Sequence, residues 1–149
     1  MLAGLAILSI IYGALMALSE RDLKRIVAYA SISHLGFISL GIFSLTNNGI
    51  NGAVIQMVNH GIIISALFLI VGYVEARTGT RDIGELAGLE KRMPWLYFFF
   101  LVATLASLGM PGMNSFVGEF AIMLGAFQPH WGYAVLAGGG VVLAAWYML

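Results

Sequence analysis

The sequence predicts an all-α polytopic membrane protein, a transmembrane helix bundle of about five spans with one discontinuous helix. Three observations carry this. Of the 149 residues, 60% are hydrophobic and only 9% charged, with a mean hydropathy of +0.94, where a soluble domain carries roughly a quarter charged residues. All but one of the seven acidic and seven basic residues fall in two short stretches, 20–25 and 75–92. Between and around them run apolar segments of about 20 residues, the length that crosses a bilayer. Strand-like alternation is absent from these runs, and in lipid only helices or closed barrels satisfy the backbone.

Taken in order, residues 1–18 lack the positive leader of a signal peptide and read as a first span, with a helix over 2–18. Glu20, Arg21, Asp22, Lys24 and Arg25 close it. A second helix is expected over 23–45, a polar turn at Thr46–Asn51, and a third helix over 51–74. Glu75, Arg77, Arg81, Asp82, Glu85, Glu90, Lys91 and Arg92 mark the one long connection, 75–93, which is expected to carry a short surface helix. A fourth segment, 94–127, is interrupted, and after a turn at Gln128–His130 a last helix runs over 131–149. The whole chain, 1–149, reads as a single transmembrane domain. Every Lys and Arg lies in the two charged loops, so both are expected in the cytoplasm, with the N-terminus outside and the C-terminus inside if 94–127 crosses once. Trp95 with Tyr97, Trp131 with Tyr133, and Trp146 with Tyr147 are expected to be boundary anchors. His130 reads as an interface residue beside Trp131, and Gly138–Gly140 as a close-packing run.

The same composition excludes other classes. Formal net charge is zero with no basic tail, so nucleic acid is not an expected partner. With no cysteine the chain holds no disulfide, iron–sulfur cluster or thiol chemistry.

Segment 94–127 would cover roughly 50 Å as one helix at 1.5 Å per residue, too long for a straight span. Its middle reads Ser107-Leu108-Gly109-Met110-Pro111-Gly112-Met113-Asn114. Pro111 lacks an amide hydrogen and disfavours helical geometry at Met110, while Gly109 and Gly112 ease unwinding; a break is expected over Ser107–Gly112. Transporters build ion sites at such interruptions. Glu119 follows, the one charge inside an apolar run. Inserting it costs a few kcal/mol, which makes function the default expectation, against the simpler alternative of a packing ion pair. It is a candidate proton carrier.

His34 lies ten residues beyond Lys24, about 15 Å along the helix, and His60 sits at similar depth on the next, antiparallel helix. Ser31 and Ser33 flank the first, and Gln56 and Asn59 accompany the second, making a polar band through apolar helices. Three readings stay open on spacing alone: a proton relay through His34, His60 and Glu119, a bis-histidine haem site, and hydrogen-bonded packing between helices.

The stretch Asp22-Leu23-Lys24-Arg25-Ile26-Val27-Ala28-Tyr29-Ala30-Ser31-Ile32-Ser33-His34-Leu35-Gly36-Phe37 resembles the signature of the antiporter-like subunits of respiratory complex I, the proton-translocating NADH:quinone oxidoreductase. So do Gln56-Met57-Val58-Asn59-His60-Gly61, Thr80-Arg81-Asp82, and Pro111-Gly112-Met113-Asn114-Ser115-Phe116-Val117-Gly118-Glu119-Phe120. The likeness runs along nearly the whole chain. The position of Glu119 is lysine in the L and N types and in related cation/proton antiporter subunits, and Ile64 stands where the L type commonly has lysine, so the resemblance is to the subunit M (chain 4) type. It implies a larger parent with two inverted five-helix repeats, of which this chain resembles the second; Met1 is then not a natural start, and the end at Leu149 reads as cut. It also implies that Glu119, His60, His34 and Lys24 serve proton translocation, with the helix break at Gly109, Pro111 and Gly112. The family's first-repeat glutamate and its two lysines have no counterpart here. Implied partners are the other membrane subunits of complex I, including neighbouring antiporter-like subunits, and the lipid bilayer, in a bacterial inner membrane or an equivalent energy-transducing membrane. No cofactor, metal, redox centre or quinone site is implied for this chain, which would be a translocase component without redox catalysis of its own. A secondary cation/proton antiporter subunit is the alternative.

Overall fold

A computed structural model describes residues 1–148, with backbone only at Leu89. The helices are α1 (Leu2–Ser19), α2 (Leu23–Phe43), α3 (Asn47–Thr78), α4 (Leu89–Arg92), α5 (Pro94–Ser107), α6 (Asn114–Phe127) and α7 (Trp131–Met148), with a 3-10 turn at Ile83–Glu85. Four of them, α1, α2, α3 and α7, are long and apolar enough to cross a membrane. The fifth crossing is made by α5 and α6 in series, each 14 residues, or roughly 21 Å. α5 starts beside the end of α3, where Tyr73, Arg77 and Pro94 share a groove, and α6 finishes against its beginning, where Gly125 meets Gly49. The interrupted segment therefore crosses once, as expected.

The expected bounds of the third helix, 51–74, are corrected to Asn47–Thr78. The polar residues read as a turn are helical from Asn47 because Thr46 accepts a hydrogen bond from the Gly49 amide at 3.1 Å and caps the helix. At the other end α3 carries Glu75 and Arg77 within it and stops only at Gly79, whose φ of 73° makes a left-handed cap. The connection from α2 is consequently tight. Leu45 takes a left-handed φ of 53° between Ser44 and Thr46, whose hydroxyls lie 3.0 Å apart. Leu149, the expected end of the last helix, lies outside the described residues.

The two charged loops join at one end of the bundle. The Leu23 amide donates to Arg81 O (3.0 Å) and the Ile83 amide to Arg21 O (3.1 Å). Asp22 caps α2 by accepting from the Lys24 and Arg25 amides. Arg81 pairs with both Asp22 and Glu75 at 3.5 Å, and Lys24 pairs with Glu75 at 3.3 Å. The short surface helix expected in this loop is α4.

The bundle closes through small residues. At Gly13 a Cβ would lie 2.7 Å from the Ser33 amide nitrogen, and at Gly36 it would lie 2.9 Å from Ala6 O, so α1 and α2 approach backbone to backbone. Ser33 donates to Ile10 O at 3.0 Å across this seam. One apolar cluster joins α1, α2, α6 and α7 through Ile10, Phe37, Leu40, Ile122 and Ala137. A second joins Val27, Leu67, Val71 and Ala103 nearer the charged end. The expected packing run Gly138–Gly140 is corrected to Gly140 alone, which faces Ile10, while Gly138 and Gly139 face open space. Trp95, Trp131 and Trp146 are exposed at the bundle ends, as anchors require. Tyr147 is not such an anchor, because its hydroxyl is buried.

Candidate functional site

The break spans 108–113. Gly109 and Gly112 both take left-handed backbone, φ 63° and 101°, and Pro111 stands between them without an amide to offer. The unwound turn follows the end of α5 at Ser107 and precedes the start of α6 at Asn114, the expected interval of Ser107–Gly112 shifted by one residue toward the C-terminus. On α6 the helical repeat sets Ser115, Gly118, Glu119 and Ile122 on the buried face. That face meets the middle of α2 and α3.

Three of the residues expected to carry protons converge there. Glu119 and His34 are 4% and 5% exposed. Glu119 Oε1 lies 3.4 Å from His34 Nδ1, within ion-pair range but off the alignment a hydrogen bond needs, so Nδ1 is left without a hydrogen-bond partner. A small ring rotation would complete that bond; catalytic hydrogen bonds are often loose in resting structures. His34 Nε2 lies 3.2 Å from the Ser107 hydroxyl, at the last helical residue before the break. His60 Nε2 lies 3.0 Å from the Ser31 hydroxyl. The two rings stand 6.1 Å apart at 53°. They border, with Gln56, Ser107 and Ser115, a cavity of about 10 Å³, the size that takes a single water centre.

Lys24 does not join this cluster. It sits at the charged end, 43% exposed, bonded to Glu75. Gly109 joins it directly: its Cβ position is occupied by the Glu119 carboxylate, so the glycine of the break forms the wall behind the acid. Pro111 and Gly112 shape the break without lying against His34 or His60; Pro111, with Gly109, Glu119, Val141 and Ala145, borders an outward groove of about 390 Å³.

Two residues matter more than the sequence suggested. Gln56 Nε2 donates to Glu119 Oε1 at 3.2 Å, and Gly118 leaves room for the Gln56 side chain. The signal was present, since Gln56 precedes His60 by four residues and shares its helix face. Tyr147 brings a buried hydroxyl without a partner among the described residues, within electrostatic reach of Glu119. No pattern within α7 marks it out.

The haem alternative does not fit. Both His34 nitrogens face Glu119 and Ser107, His60 Nε2 faces Ser31, and the shared cavity is far too small for a macrocycle. Proton relay and hydrogen-bonded packing both remain, and the geometry sets Ser31, His60, His34 and Glu119 in series, with a water-sized space beside the gap between the two rings.

The profile of the NADH:quinone oxidoreductase/Mrp antiporter transmembrane family matches residues 1–144. This chain belongs to that family. It is 45% identical over 145 residues to NADH-quinone oxidoreductase subunit M of Rickettsia bellii, covering 97% of this chain and 29% of the relative. Against subunit M of Mycobacterium tuberculosis the identity is 43%, covering 97% and 26%. Among solved structures, a chain of respiratory complex I from Thermus thermophilus superposes with a TM-score of 0.95 at 39% identity, covering 99% of this chain and 32% of that one. A chain of the Mrp complex from Dietzia superposes with a TM-score of 0.91 at 26% identity, covering 98% and 28%. The chain thus spans about 30% of the length of these members of the NADH:quinone oxidoreductase/Mrp antiporter family, and both solved relatives are parts of multi-subunit complexes.

Proposed function

We propose that this chain is the second-repeat portion of a proton-translocating membrane subunit of NADH:quinone oxidoreductase. It carries protons through a central polar axis while other subunits perform electron transfer. As such it is a translocase component of a bacterial inner membrane, or an equivalent energy-transducing membrane, set beside other antiporter-like subunits. Glu119, His34 and His60 are the carriers, with Lys24 at the charged face as a fourth proton-translocation residue. The observation that carries this reading is the buried carboxylate of Glu119, 3.4 Å from His34 Nδ1 and held by Gln56 beside the break. No Lys or Arg pairs with this acid among the described residues, and its neighbour is an imidazole, whose two ring nitrogens suit it to pass a proton on. The likeness to subunit M relatives at 43–45% identity supports the assignment.

The test uses the full-length protein in its assembled complex. Glu119→Gln keeps the shape and removes the titration, and is expected to cut proton pumping at least tenfold per electron transferred while assembly is retained. Glu119→Asp is expected to keep more activity. Normal pumping by Glu119→Gln would leave the histidines and the acid as packing elements only.

A second reading is supported by the likeness to the Mrp chain: a subunit of a secondary cation/proton antiporter. It requires a sodium- or potassium-dependent pH gradient in vesicles without quinone turnover.

A further inference from the structure

Between the end of α3 and the start of α5 lies a groove of about 460 Å³. Arg77 and Arg92 stand at its rim, and Tyr73, Trp95, Leu96 and Phe99 form its wall. The rim is at the charged end of the bundle, and the wall runs from there toward the middle. Tyr73 lies one turn below Arg77, and Phe99 one turn below Trp95, roughly 6 Å in each case. Trp95 is 77% exposed, so the groove opens on the side of the bundle.

Lys24, Arg25 and Arg81 at this end are in ion pairs. Arg77 and Arg92, like Arg21 and Lys91, make none among the described residues, but only Arg77 and Arg92 border the groove. Glu85 borders the adjoining cleft with both but pairs with neither. No carboxylate lines the groove itself. It therefore presents two guanidinium groups at headgroup level above an aromatic and apolar trough. A guanidinium recognises phosphate oxygens in a planar fork, and the trough accepts a hydrocarbon chain.

We propose that this groove is a binding site for an anionic phospholipid, its phosphate held by Arg77 and Arg92 and one acyl chain laid along Tyr73, Trp95, Leu96 and Phe99. A zwitterionic lipid brings its own cation to the same rim and is disfavoured. The bound lipid ties the end of α3 to the beginning of α5, the half-helix that leads into the break. The site stands apart from the proton path and does not depend on it.

The test is photolabelling of the full-length protein in its membrane complex, reconstituted in phosphatidylcholine vesicles. The probes are phosphatidylglycerol and, separately, phosphatidylcholine, each carrying a diazirine near the top of one acyl chain. Labelled peptides are mapped by mass spectrometry and normalised to total labelling of the chain. The phosphatidylglycerol probe is expected to label residues 93–99 at least fivefold more than the phosphatidylcholine probe, the bias roughly one arginine gives near an anionic headgroup. Arg77→Gln/Arg92→Gln is expected to abolish the preference, and Arg77→Lys/Arg92→Lys to retain most of it in complexes assembled to the same level. Equal labelling by the two probes overturns the proposal, as does a preference that survives the glutamine pair. So does the absence of label from either probe, which would mean that a neighbouring protein segment fills the groove.

Discussion

Gly109→Ala perturbs the acid without touching its chemistry. Two costs can be worked from the structure. The backbone at Gly109 has φ 63°, and an L-residue held there loses roughly 1–2 kcal/mol. The new methyl carbon would also lie 3.0 Å from Glu119 Cδ and closer still to Oε2. Ordinary contact begins near 3.4 Å, so the carboxylate has to retreat by about half an ångström or more. That movement disturbs its 3.2 Å bond from Gln56 and its 3.4 Å approach to His34. Displacements of about 1 Å at a reacting group cost up to roughly a hundredfold. The expected result is a complex that assembles with slightly lower thermal stability and pumps roughly tenfold to a hundredfold more slowly, measured as pH-gradient formation per NADH oxidised. Shortening the acid should relieve the collision, so Gly109→Ala/Glu119→Asp is expected to pump faster than Gly109→Ala alone. If Gly109→Ala pumps normally, or if the double variant is no better, the carboxylate does not work from the position described.

Gln56→Leu removes the donor to Glu119 with little change of volume; a hydrogen bond to a charged group is worth about 2 kcal/mol, so a pumping loss of at least tenfold is expected, with quinone-linked turnover as the check on assembly. Leu45→Gly relieves the left-handed residue in the α2–α3 turn and is expected to raise stability by roughly 1 kcal/mol, read as a higher unfolding temperature in detergent. For topology, cysteines at Asn48 and Arg81, near the two ends of α3, should label with an impermeant reagent from opposite sides of the membrane; labelling of both from one side would contradict the crossing of α3.

The helical spans were legible because an apolar run of spanning length has few other fates, and the break because proline and two glycines leave a helix little choice. The polar band was legible for a related reason: His34, His60 and Glu119 stand out where every neighbour is apolar. The ends of α3 were not. Asn47 and Asn51 read as turn residues, yet Thr46 caps a helix ahead of them, and Glu75 and Arg77 are tolerated in a helix that has already reached water. Tyr147 was misread because its burial depends on which side of α7 meets α6, and α7 is apolar all round. Lys24 was carried by its place in a motif, while its depth follows from helix geometry and leaves it at the surface.

The length of α3 separates the charges of this protein into two media. Thirty-two residues span roughly 48 Å, well beyond a hydrocarbon layer of about 30 Å. The end bearing Glu75 therefore stands at or above the headgroups. There Lys24, Arg81 and Asp22 meet Glu75 within a Debye length of about 8 Å at physiological ionic strength, and mobile ions compete for each of them. Glu119 and His34, sealed below, feel almost none of that screening. Raising the salt concentration should thus slacken the clasp between the two charged loops while leaving the interior pair untouched, so the same chain offers one set of contacts that ionic strength tunes and another that it does not reach.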